Sequence, residues 1–370
     1  MRTLFLHVGP HKTGTTTIQS TCVNQRYMLE KHDISYFPGN NHTIFYKAFS
    51  DCIDSFHQFY RGWKRTVNQD FEKETIRKEL STIPCSNIIV SSEDISLLSE
   101  SSLSELREFL IDKCDIDNVI CVAFIRNPFG YLKSSIQQFI KPGLTDLDDI
   151  VSNKFKKYYL QGDPSFSGGI NEIITQLYLP IPTRLIKVFG QENVHFASFE
   201  EAINNGLTQT LLNFISDNDF YLSDDKSNEG ISHEACLFLA ELNNRFPLLN
   251  KENVLNKNRN RNKDIVSELR KIPGRKSNLI LARHLNQDLI NRKIQEFNSS
   301  SENELFHIIT EEDMSSLYGE DYFSLSKITT FYLKDKFGIV NFEDKRKIIN
   351  DIVKGKFKIK YFSYKLKNII

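Results

Sequence analysis

The chain has no surplus of charge of either sign: Lys plus Arg and Asp plus Glu each total 47 in 370 residues. It therefore lacks the broad basic field of a nucleic-acid binder, and any preference for anions must come from local groups. Paired cysteines are missing too. Cys22, Cys52, Cys85, Cys114, Cys121 and Cys236 are scattered, with no CxxC and no short Cys/His cluster, which argues against a structural zinc site or a disulfide scaffold. They read as small buried apolar residues in a reducing compartment. Long hydrophobic runs are absent: Met1 to Val8 is too short, and is ended too soon by Gly9-Pro10, for a secretory leader, and no later stretch approaches a membrane span. A cytoplasmic protein is expected, without internal repeats or low-complexity tracts.

What is present is enough for a large core. Aromatic residues make up 12%, with 28 Phe. The length suits one large α/β domain with additions, or two domains. Short apolar runs predict strands at Thr3 to Val8, Ile34 to Phe37, Asn87 to Ser91, Asn118 to Ile125, Arg184 to Phe189 and Val194 to Phe199. Helical patterns lie between them, at Thr15 to Lys31, 61–80, 102–113, 128–140, 169–178 and 200–216. This alternation predicts an α/β three-layer sandwich: a central parallel sheet covered on both faces. After about residue 222 only helical patterns continue, at Ser232 to Asn244, Asp264 to Arg270, Leu279 to Phe297, Glu311 to Leu317 and Ser324 to Phe337. The expected division is a nucleotide-binding core at 1–222 and a helical extension at 223–370 packing on it. Between Lys251 and Lys276 the chain is rich in Asn and basic side chains, Arg270 among them, and reads as a solvated loop or flap.

The most informative segment is Gly9-Pro10-His11-Lys12-Thr13-Gly14-Thr15-Thr16-Thr17, set between a predicted strand and helix. There, backbone N–H groups and the helix dipole converge on an anion. Gly14 permits close backbone approach, the threonine hydroxyls add donors, and Lys12 supplies a point charge. An ATP-type phosphate loop places Lys directly after its last Gly. Here Lys12 precedes Gly14 and no GK[ST] follows, which disfavours an ATP- or GTP-dependent kinase. A second anchor follows the strand Asn118 to Ile125: Arg126-Asn127-Pro128, then a helix carrying Ser134. Arg126 and Ser134, eight residues apart near the sheet's C-terminal edge, can grip a further phosphate.

Together these segments resemble the sulfotransferase family, whose donor is 3′-phosphoadenosine 5′-phosphosulfate (PAPS). The loop resembles the family's 5′-phosphosulfate loop, and Arg126 with Ser134 its 3′-phosphate motif. The likeness is strong over residues 3–31 and 118–141, and weaker over Asn87 to Glu93 and Asn228 to Ser232. Soluble small-molecule members usually carry Trp after the paired threonines, a catalytic His after a middle strand and a C-terminal Arg-Lys-Gly. This chain has Thr17, Ser91-Ser92-Glu93 and Gly274-Arg275-Lys276 instead. It is therefore more similar to the carbohydrate-type and bacterial members, which implies a carbohydrate or glycolipid acceptor and no metal.

In that reading His11, Lys12, Thr13, Gly14, Thr15, Thr16 and Thr17, with Arg126 and Ser134, hold the donor, and Lys12 faces the oxygen bridging sulfate and phosphate. Glu93 is the first choice of general base, because Ile88-Ile89-Val90 delivers it to the edge where an open α/β sheet keeps its site. Asp94 and His11 are the other candidates. Equally, Ser92, Glu93 or Asp94 can simply start a helical turn. His7 reads as a packed core histidine. Ser91 or Ser92 can contact the 3′-phosphate or the acceptor, though serines after strands are common. The tail Lys354 to Tyr361 interleaves basic and aromatic residues and can meet an acidic polysaccharide or an anionic membrane surface. Two other readings stay open: a nucleotide-dependent kinase with an unusual loop, and a catalytically silent nucleotide- or carbohydrate-binding protein.

Overall fold

The computed structural model describes residues 1–51, 67–141, 170–216 and 220–225, and further on 231–232, 235–236, 239–240, 243, 266–267, 270, 285–300 and 305–313. β1 (Thr3–His7) is buried along its whole length and runs through the Gly9–Thr17 loop into α1 (Thr15–Asn24). The helix expected to reach Lys31 breaks at Gln25 and resumes as α2 (Arg26–Lys31). Tertiary bonds explain the break. Asn24 donates to Asp225 at 2.6 Å, while the Arg26 guanidinium donates to the carbonyls of Tyr36, Phe37 and Gly39 beyond β2 (Ile34–Tyr36). α3 (Thr43–Phe49) falls in a stretch where no element is predicted, and it buries Phe45, Tyr46, Ala48 and Phe49. α4 (Gln69–Thr82), β3 (Asn87–Ser91), a 3₁₀ turn at Glu93–Leu97, α5 (Glu100–Cys114), β4 (Asn118–Ile125) and α6 (Pro128–Ile140) follow.

Arg184 to Phe189 is not a strand. α7 (Ile170–Glu172) passes into a π-helical stretch, Ile173–Tyr178, and then into α8 (Pro180–Phe189). Pro180 and Pro182 sit in the first turn, where a missing N–H is harmless. Ile181, Leu185 and Phe189, four apart, form the buried stripe, and Gly190 ends the helix at φ 89°. The run Leu185-Ile186-Lys187-Val188-Phe189 is short enough to fit either period, so the preceding prolines decide it. The chain then enters β5 (Val194–Ser198), α9 (Phe199–Asn205) and α10 (Leu207–Leu212), with Gly206 at φ 91° dividing what reads as one helix at 200–216. α11 (Gln287–Ser300) lies within the predicted Leu279 to Phe297 pattern and extends past it. The predicted helix at Ser324 to Phe337 and the basic tail lie outside the described residues.

The five strands form one parallel sheet in the order β2-β3-β1-β4-β5. Strand alternation divides the core in two. Leu4, Leu6, Ile88, Val90, Cys121 and Ala123 face a cluster built with α3, α5, α6 and α8. Ile89, Val122 and Phe124 face the other, built with Ile18 and Cys22 of α1, Phe199 of α9 and Leu207 and Leu211 of α10. Ala235, Leu239, Ile290, Ile294 and Phe306 join the first cluster, so described residues beyond 222 share the core of the sheet. The register sets His7 beside Ser91 on one side and Val122 on the other, which brings the ends of β1, β3 and β4 to one edge. The five described cysteines are buried, and none is in a disulfide among the described residues. No helix among the described residues is long and apolar enough to cross a membrane.

Candidate active site

The loop after β1 is wound by two residues in the left-handed region, Lys12 at φ 74° and Gly14 at φ 80°. Gly14 tolerates this; Lys12 does so at a cost of about 1–2 kcal/mol. Gly14 is the N-cap of α1, which no side chain caps, so the helix's first N–H groups face the hollow of the loop. A side chain on Gly14 would meet Leu207 Cδ1 at 2.5 Å, and one on Gly9 would lie 2.9 Å from the Thr13 hydroxyl and 3.0 Å from that of Thr15. Thr13 donates to the Pro10 carbonyl at 2.7 Å and braces the turn. The Thr15 hydroxyl is buried with no hydrogen-bond partner. Thr16 is exposed and Thr17 half-buried.

The second anchor closes on the first. Arg126 Nη1 donates to the Lys12 carbonyl at 2.9 Å, and the guanidinium lies over Phe199, 4.9 Å from the ring centre. Gly130 makes room for it, since a Cβ there would stand 3.1 Å from Nε. That Nε is buried and has no hydrogen-bond partner. Tyr178 fixes the backbone, accepting from the Arg126 N–H at 2.7 Å and donating to its carbonyl at 2.6 Å. Burial lowers the Arg126 pKa, against the pull of Glu200 and Tyr178. Ser134, half-buried, stands one turn beyond Gly130 on the same face of α6.

The segment after β3 meets the loop from the other side. The Ser92 N–H donates to the His7 carbonyl at 3.2 Å, and the 3₁₀ turn then starts at Glu93. Glu93 therefore both begins a turn and reaches the site: its Oε1 lies 3.2 Å from His11 Nδ1, while Asp94 Oδ1 lies 3.7 Å from His11 Nε2. The three candidate bases form one group. Their ligand-type atoms lie within 4.8 Å of one another, but the two carboxylates address different nitrogens of the ring, whereas a single cation would use one. Ser91 and Ser92 are fully buried; the Ser91 hydroxyl bonds His7 Nδ1 at 2.8 Å, whereas the Ser92 hydroxyl has no hydrogen-bond partner. His7 is the core histidine expected: burial holds its pKa down to about 4, opposed by Glu93, and Phe124 meets its ring edge-on.

Other cations act on Lys12, and Lys12 on them. Burial lowers the Lys12 pKa; Glu93 opposes this, and Arg126 and Arg270 add to it. Lys141, at the end of α6, is pushed down to about 8 by burial and by Lys12 and Arg270. Sequence reasoning missed both Lys141 and the part played by Arg270. Nothing local marks Lys141, and Arg270 sits in the basic segment that reads as a solvated loop.

The fold and loop together define an α/β protein with a parallel five-stranded sheet and a left-handed, glycine-containing turn between its first strand and first helix. No family model matches the chain, and no curated protein matches it. Among solved structures it is similar to a sulfotransferase from Alicyclobacillus acidocaldarius, at 16% identity and a TM-score of 0.43, over 62% of this chain and 87% of that one.

Proposed function

We propose that the protein is a sulfotransferase that moves a sulfuryl group from PAPS to a hydroxyl of a carbohydrate or glycolipid. The carrying observation is the junction of two anion-seeking motifs, Arg126 Nη1 on the Lys12 carbonyl, with an unpartnered Thr15 hydroxyl on one side and an unpartnered Arg126 Nε on the other. A nucleotide with phosphates at both ends suits that pair. The open start of α1 and residues His11 to Thr17 receive the 5′-phosphosulfate, and Arg126 with Ser134 receives the 3′-phosphate. Lys12 neutralises charge on the departing oxygen, and Glu93 removes the acceptor proton as the new oxygen–sulfur bond forms in line. Positioning and electrostatics carry most of such a transfer.

Thermal unfolding with adenosine 3′,5′-bisphosphate tests this. The bisphosphate raises the midpoint without magnesium and outperforms the 5′-monophosphate, and Arg126→Ala removes that preference. Indifference of the intact protein to the 3′-phosphate overturns the proposal. ATP binding that requires magnesium replaces it with the kinase reading. Donor binding without transfer to any acceptor pool, and with Glu93→Gln silent, replaces it with the binding-protein reading.

A further inference from the structure

In a 3₁₀ turn successive side chains point about 120° apart. Glu93 and Asp94 open such a turn, and they splay to either side of one imidazole, that of His11. The turn is braced, since Ser96 donates to the Glu93 carbonyl at 2.7 Å and Arg184 to the Ser96 carbonyl at 2.8 Å. The three groups differ in access to water. Glu93 is 24% exposed and the His11 side chain 20%, whereas Asp94 is fully buried. A ring held between an inner and an outer carboxylate can take a proton from one while the other, 3.7 Å from Nε2, stabilises its charge.

We propose that His11 is a positioning residue behind the base: buried Asp94 stabilises the charge of its ring from the Nε2 side, and Nδ1 takes over the proton that Glu93 removes from the acceptor. The inference rests on the sulfuryl-transfer reading above. The acceptor oxygen bonds sulfur while the bond from sulfur to the bridging oxygen breaks, and that electron pair leaves with the bisphosphate. The acceptor proton passes to Glu93, then to His11 Nδ1, and leaves for water along the ring's exposed edge. Glu93 is thereby returned to its charged form opposite Lys12. That matters because Glu93 is the group that counters the burial of the Lys12 amine.

The test uses the intact protein with water as acceptor, following breakdown of PAPS to bisphosphate and sulfate in wild type, His11→Asn and His11→Gln. The expected result, read at saturating PAPS so that a loss of donor affinity is separated from the rate, is a rate at least about tenfold lower in both variants and partial recovery on adding imidazole. A proton inventory in mixed light and heavy water should be curved for wild type and linear for the variants. The inference is overturned if breakdown is absent in a wild type that binds bisphosphate, if the variants keep the wild-type rate, or if imidazole restores nothing. Stoichiometric Mn²⁺ binding that His11→Asn abolishes also overturns it. Failure of bisphosphate to stabilise the wild type strikes the sulfotransferase reading itself, and so is told apart from failure of the relay.

Discussion

Two turns leave the same edge of the sheet on the same plan of strand, turn and helix, and they are finished differently. After β4, Asn127 accepts from the N–H groups of Phe129 and Gly130, and Pro128 has no N–H to satisfy, so α6 starts closed. After β1, α1 starts on a glycine and no side chain caps it. The closed turn offers a side chain, Arg126, held by Tyr178 and by the Lys12 carbonyl. The open turn offers its backbone. A helix end left unsatisfied by its own sequence is where a bound anion gains most, and a helix end that caps itself makes a rigid base for a charged arm.

The largest effect should come from forcing a side chain into the open turn. Gly14→Val combines a positive φ with a contact at 2.5 Å to Leu207, and should lose roughly 2–5 kcal/mol in urea unfolding, together with the response to bisphosphate. Next is acid. His7 ends the strand beneath the open turn, with its pKa lowered to about 4. The unfolded chain therefore takes up this proton first as the pH falls. The stability linked to neutral His7 is complete above pH 6.5 and is lost towards pH 4, by about 3 kcal/mol. Urea unfolding at pH 7 and pH 4.5 should show the fall, and His7→Gln should flatten it. Uncapping the closed turn is milder: Asn127→Ala should cost about 1 kcal/mol and leave the bisphosphate response in place. Smallest in stability is Lys12→Gly. It relieves the φ of 74° and should leave stability unchanged or raise it by up to about 1 kcal/mol, while bisphosphate affinity measured by calorimetry falls. A Lys12→Gly protein that is less stable and still binds would break the contrast between the two turns.

Both turns were legible because each is local: an apolar strand, a break and a helix start within about twenty residues. β1, β3 and β4, and the placing of Arg126 near Lys12, follow from that pattern and from the site edge of a parallel sheet. α8 does not read as a helix from its apolar run, which satisfies two periods; the prolines before it, which suit a helix's first turn, resolve them. The union of His11, Glu93 and Asp94 was not legible. Each stood out singly, but their meeting depends on the β1–β3 register, which joins distant parts of the chain. Lys141 and Arg270 influence one another and Lys12 from distant parts of the chain, a relation that no local pattern marks.

The π-helical stretch Ile173–Tyr178 gives the Arg126 clamp an unusual sensitivity to length. A π turn winds one residue more than an ordinary turn before its bond closes. Adding a single residue to it, with the winding kept, would swing Tyr178 by roughly a quarter turn round the axis, away from the backbone it holds at both N–H and carbonyl. The same insertion near the exposed N-terminal end of α4 would merely lengthen a helix. In this stretch the register of one helix, more than the identity of any side chain on it, governs where the arginine of a different loop can stand.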